Sequence, residues 1–158
     1  MKRLIFGIAV LAAILCLGGA ADLAVAPDAS VKLDWQTDLP KALVQAKAEN
    51  KLVLLNFTGS DWCAGCKVMD LEVFSQPEFA AYAQTNLMLV EVDLPNHKML
   101  PPALLAANKA LNTNYDVVGF PTLIALQPDG TVAWRMDGFS GDIGPQTLIT
   151  PLQAVKKL

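Results

Sequence analysis

The chain has 158 residues, 53% of them hydrophobic, and a formal net charge of −3. That length encloses one full core and is short for two domains of ordinary size. The acidic balance, with no basic run beyond Lys156 and Lys157, excludes nucleic acid as an expected partner.

Lys2 and Arg3 precede an uncharged apolar run over residues 4–17, and Gly18, Gly19, Ala20 and Ala21 follow it, in the order of a secretory signal. The run is shorter than the roughly 20 residues that span a bilayer, so attachment to a membrane is expected only through an uncleaved signal. Cys16 follows Ala13, Ile14 and Leu15, without the small residue directly before it that a lipid anchor would need. Residues 1–21 are read as a signal peptide cut after Ala20 or Ala21, 22–30 as a linker and 31–158 as one domain, placing the protein in the periplasm or outside the cell. Cleavage removes Cys16 and leaves Cys63 and Cys66 in a compartment where disulfides persist.

A short strand is expected over 31–35, followed by a helix that Asp38 caps and Pro40 opens, with Leu39, Ala42, Leu43 and Ala46 on one face and an end near Asn50. The apolar run 52–57 is too short for a helix and suits a strand buried on both faces. Gly59 and Ser60 end it, and a helix is expected over 63–73. Ser75, Gln76, Pro77 and Glu78 then read as a capping box flanked by a Phe74–Phe79 staple, starting a second helix. A buried strand over 87–92, a proline-containing connection over 94–102 and a short helix over 102–111 come next. Strands at 122–126 and 131–136 flank a Pro128, Asp129, Gly130 turn, with Val132, Trp134 and Met136 on one face. Leu148, Leu152 and Val155 recur at helical spacing, and Pro151 either kinks that helix or marks its start. The order β-α-β-α-α-β-α-β-β-α predicts an α/β three-layer sandwich with a central mixed sheet flanked by helices.

The chemistry is concentrated in Asp61, Trp62, Cys63, Ala64, Gly65, Cys66 and Lys67, where a buried strand gives way to a helix. Cys63 at a helix N-terminus faces unpaired backbone N–H groups that favour a thiolate, which makes it the candidate nucleophile. Cys66, nearly one turn further in, is the candidate resolving thiol. Other readings exist for such a pair. A zinc site needs about four ligands, and the only histidine is His97. A c-type haem site needs a histidine where Lys67 stands. A purely structural disulfide closing so short a loop restricts the unfolded chain less than a long-range one. His97 and Met99 with the two thiols would make a soft Cu(I) site, against the simpler reading of a solvated loop histidine.

The motif Trp62-Cys63-Ala64-Gly65-Cys66-Lys67, the strand before it, the stretch 69–74 and Gly119-Phe120-Pro121-Thr122 before a hairpin together resemble the thioredoxin superfamily. The likeness is in particular to the exported thioredoxin-like and thiol:disulfide interchange proteins of bacteria, and it runs from about Trp35 to the C-terminus. The resemblance implies a thioredoxin fold, a cis peptide before Pro121, substrate pairing along the backbone of Phe120 and an apolar substrate surface at Trp62. It implies catalytic Cys63 and Cys66, no cofactor, no metal, protein substrates with disulfides or thiols, and a redox partner that resets the pair. Strongly oxidising members of the superfamily carry a histidine between the cysteines, and with Ala64 and Gly65 there the resemblance implies the reductase or isomerase direction. The alternative is a non-catalytic thioredoxin-fold binding or copper-handling protein. One departure stands out: thioredoxins proper carry a buried aspartate where aligned strand ends give Asn56, and the lysine that partners it is replaced near Leu89. An amide cannot act as a base.

Overall fold

The computed structural model describes residues 32–156. The expected signal peptide, the linker and Cys16 lie outside the described residues. The elements are β1 (Trp35–Gln36), α1 (Leu39–Glu49), β2 (Leu52–Thr58), α2 (Ala64–Met69) running into a π-helical turn (Asp70–Phe74), α3 (Pro77–Asn86), β3 (Leu87–Asp93), α4 (Pro102–Asn114), β4 (Thr122–Leu126), β5 (Val132–Asp137) and α5 (Pro145–Val155).

The strands form one mixed sheet in the order β1-β3-β2-β4-β5. β3 runs parallel to β1 and β2, while β4 is antiparallel to β2 and β5. Alternation along β2 sorts the core into two layers. Leu52 and Leu54 face Met69, Val73, Phe74, Phe79, Leu148 and Leu152 of the cysteine helix, α3 and α5. Val53, Leu55 and Phe57 face Leu39, Ala42 and Ala46 of α1, with Leu111 and Tyr115 at the end of α4 packed alongside. This is the expected three-layer sandwich.

Local chemistry explains the boundaries. Asp38 caps α1 by accepting from the Lys41 amide at 3.0 Å, and Asn50 ends that helix in the left-handed conformation. The expected strand at 31–35 is confined to Trp35 and Gln36, because only these meet Leu89 and Val90 in register. The capping box at Ser75 does not form: Ser75 closes the π-helical turn, Gln76 is the N-cap of α3 without a side-chain cap, and Pro77 opens the helix. Gln76 instead donates from Nε2 to the Leu71 carbonyl at 2.8 Å. Pro151 lies inside α5, which starts at Pro145 after Gly144. Val132 does not share the face of Trp134 and Met136, since a register shift between Ala125 and Leu126 leaves it exposed while those two pack on the core.

Candidate redox site

β2 delivers the chain to the C-terminal edge of the sheet, where a tight turn feeds α2. The amides of Trp62 and Cys63 both donate to the Gly59 carbonyl, at 3.1 and 2.8 Å. A side chain at Gly59 would run into the indole of Trp62, so the turn needs a residue without a Cβ. Cys63 is the N-cap of α2: its Sγ accepts from the Cys66 amide at 3.0 Å. The two sulfurs are joined in a disulfide, with Cα atoms 5.3 Å apart, and both residues are buried. A sulfur that accepts a backbone N–H at a helix start is stabilised as a thiolate once the bond is reduced.

The Phe120–Pro121 peptide is cis. A Cβ at Gly65 would lie 3.2 Å from Cδ of Pro121, which shows how tightly the cysteine helix meets the proline loop. Trp62, 43% exposed, stands edge-on to Phe120 with ring centroids 5.5 Å apart, and donates from Nε1 to the Leu94 carbonyl at 2.9 Å. The five residues singled out from sequence, Trp62, Cys63, Cys66, Phe120 and Pro121, thus converge at one edge of the sheet. Lys67 is exposed on the outer side of α2.

Polar residues around the pair take roles that sequence patterns did not single out. Asp61 turns to the loop after β3 and accepts from the amides of Asn96, His97 and Lys98 at 3.0, 2.6 and 2.8 Å. These bonds, led by that from Asn96, hold its carboxyl at about 2. Asp93, buried at the end of β3, accepts from the Ser60 amide and hydroxyl at 2.9 and 2.7 Å and from Lys98 Nζ at 3.2 Å. The cysteine turn and the 94–101 loop are therefore locked to each other on both sides.

Beneath the cysteine helix, Asn56 is buried on the same sheet face as Leu54, and its Oδ1 finds no hydrogen-bond partner among the described residues. Its neighbour in register is Glu91 of β3. Burial pushes the Glu91 carboxyl up, the charges of Asp93 and Asp70 add to this, and Lys98 opposes it. The Asp70 carboxyl is also pushed up, by partial burial. The signal for Glu91 was present in the sequence as the one acid within an otherwise apolar run.

A disulfide at a helix start, packed beside a cis-proline loop on a sheet of this order, defines the class of thioredoxin-fold thiol–disulfide proteins. The chain belongs to the thioredoxin-like domain family, which matches residues 39–148. It is 36% identical over 110 residues to the disulfide bond reductase DsbH of Chlamydia pneumoniae, an alignment covering 70% of this chain and 66% of that protein. It is 34% identical over 140 residues to the thiol:disulfide interchange protein DsbD 2 of Pseudomonas aeruginosa, covering 88% of this chain and 22% of that protein. The chain thus spans about two thirds of the first relative's length and about a fifth of the second's. Among solved structures, a DsbH oxidoreductase superposes with a TM-score of 0.75 at 33% identity, over 87% of this chain and 94% of that one.

Proposed function

We propose that the protein is a thiol:disulfide oxidoreductase that reduces or rearranges disulfides in protein substrates outside the cytosol. The observation that carries this reading is the Cys63–Cys66 disulfide, with Sγ of Cys63 accepting the Cys66 amide at the start of α2. In the reducing direction the dithiol form acts. The Cys63 thiolate attacks one sulfur of a substrate disulfide, and the other substrate sulfur leaves as a thiolate that takes up a proton. Cys66 then loses its proton and attacks Sγ of Cys63 in the mixed disulfide, which regenerates the Cys63–Cys66 bond and frees the second substrate thiol. Two electrons pass to the substrate, and a thiol donor must return them to the pair.

Trp62 and Phe120 give this site an apolar wall, and the backbone of Phe120, just ahead of β4, is the edge along which an extended substrate segment pairs. Pro121 holds that edge against the cysteine helix. Export is supported by the charged and apolar start of the sequence and by relatives named as Dsb proteins. Among the described residues, no helix is long and apolar enough to cross a membrane.

Insulin reduction followed by turbidity tests the reading. Wild type should accelerate precipitation in the presence of dithiothreitol, Cys63→Ser should abolish the acceleration, and Cys66→Ser should accumulate a mixed disulfide visible by mass spectrometry. A wild-type protein no faster than dithiothreitol alone would favour a binding module instead.

A further inference from the structure

The loop bearing Phe120 and Pro121 joins the sheet only at Thr122, where β4 begins. A side-chain fork from the edge strand β5 fixes it before that point. Arg135 Nε donates to both carboxylate oxygens of Asp137, at 2.9 and 2.8 Å, and Nη2 lies 2.7 Å from Oδ1. The far side of the same guanidinium holds the start of the loop. Nη1 donates to the Tyr115 carbonyl at 2.5 Å, and Nη2 donates to the Asp116 carbonyl at 3.1 Å. Asp116 is in the left-handed region, with φ of 49°, in the turn that ends α4, where the Val117 amide donates to the Asn112 carbonyl at 3.0 Å and Nδ2 of Asn112 donates to the Val117 carbonyl at 3.1 Å.

The end of the loop is tied to the same strand. The Thr122 hydroxyl lies 2.8 Å from the Gly119 carbonyl and 3.2 Å from Oδ1 of Asp137, and the Gly138 amide donates to the Pro121 carbonyl at 2.8 Å. Arg135 and Asp137 therefore bracket residues 117–120, with the carbonyls of Tyr115 and Asp116 at one end and Thr122 at the other. An arginine suits this position because its rigid plane offers donors to two carbonyls and a carboxylate at once, whereas a lysine offers a single point of charge.

We propose that Arg135, acting with Asp137, is a positioning residue that sets the Phe120 backbone at the height of the disulfide and so governs the docking of extended protein substrates. This rests on the reading of Phe120 as the substrate-pairing edge. An exposed ion pair contributes little to global stability, so its loss acts on the loop and leaves the fold in place. Small disulfides reach the sulfurs without pairing along Phe120 and do not depend on the clamp.

The test compares the full chain with Arg135→Ala and Arg135→Lys on insulin and on oxidised glutathione, together with the reduction potential and 15N relaxation of the amides at 117–120. In Arg135→Ala, KM for insulin should rise about tenfold, while kcat, the glutathione rate and the equilibrium constant for thiol exchange that reports the potential stay within about twofold of wild type. The loop amides should lose order, and lysine should restore only part of the effect. Unchanged KM, equal losses on both disulfides, or undiminished loop order would overturn the proposal. A wild-type protein inert toward insulin would count against the reductase reading itself, and the relaxation data would then decide the clamp alone.

Discussion

Asn56 leaves the site without an acid on the strand beneath the cysteines, and Glu91, its partner in register on β3, is the carboxyl that the sheet brings beside it. Burial holds the Glu91 proton in the folded state more tightly than in the unfolded chain, so its contribution to stability is full below the usual glutamate range and is lost as pH rises through the raised value. Chemical denaturation of wild type and Glu91→Gln between about pH 5 and 8 should show the decline in wild type and a flatter profile in the variant. The part of the slope due to Asp70, raised by the same cause, should remain. Identical slopes would mean that Glu91 is well solvated. The contrast with Asp61 shows what local bonding does to an acid: three backbone N–H donors keep its carboxyl at about 2, while burial without such donors pushes Glu91 the other way.

At the scale of elements, the 94–101 loop is built around Asp61, Asp93 and the indole of Trp62 rather than around its own secondary structure. Because the Asp61 carboxyl lies below its unfolded value, its contribution is present above the usual aspartate range and is lost as pH falls through about 2. Asp61→Asn should speed amide exchange at residues 96–98 by about tenfold or more at neutral pH and alter Trp62 fluorescence, with the sheet amides unaffected. Exchange unchanged at those three amides would show that the loop holds itself. Elements whose identity depends on burial were legible in the sequence: the apolar runs became β2, β3 and β4, and Asp38 and Pro40 located α1. Elements decided by competition between bonds were not. Ser75 was bound into the π-helical turn and Gln76 reached the Leu71 carbonyl, so a well-formed capping pattern went unused. Pro151 fits inside α5 despite its missing N–H.

At the scale of the molecule, the sheet order brings residues from three separate stretches of chain to one edge: the turn after β2, the loop after β3 and the loop before β4. The cysteines and the proline were legible because their types and spacing carry chemistry. Asp61, Arg135 and Asp137 were not, since a charged residue in a loop or on an edge strand acquires its role only from what the fold sets against it. The central claim is that Cys63 and Cys66 form a redox-active pair, held at the start of α2 with Sγ of Cys63 accepting the Cys66 amide. Equilibrating the protein in glutathione and dithiothreitol buffers, with thiol content read by mass spectrometry, measures this directly. The account predicts a reversible couple in the reducing range, near the roughly −270 mV of thioredoxin. A pair that stays fully oxidised well below roughly −300 mV would be a structural staple and would contradict it.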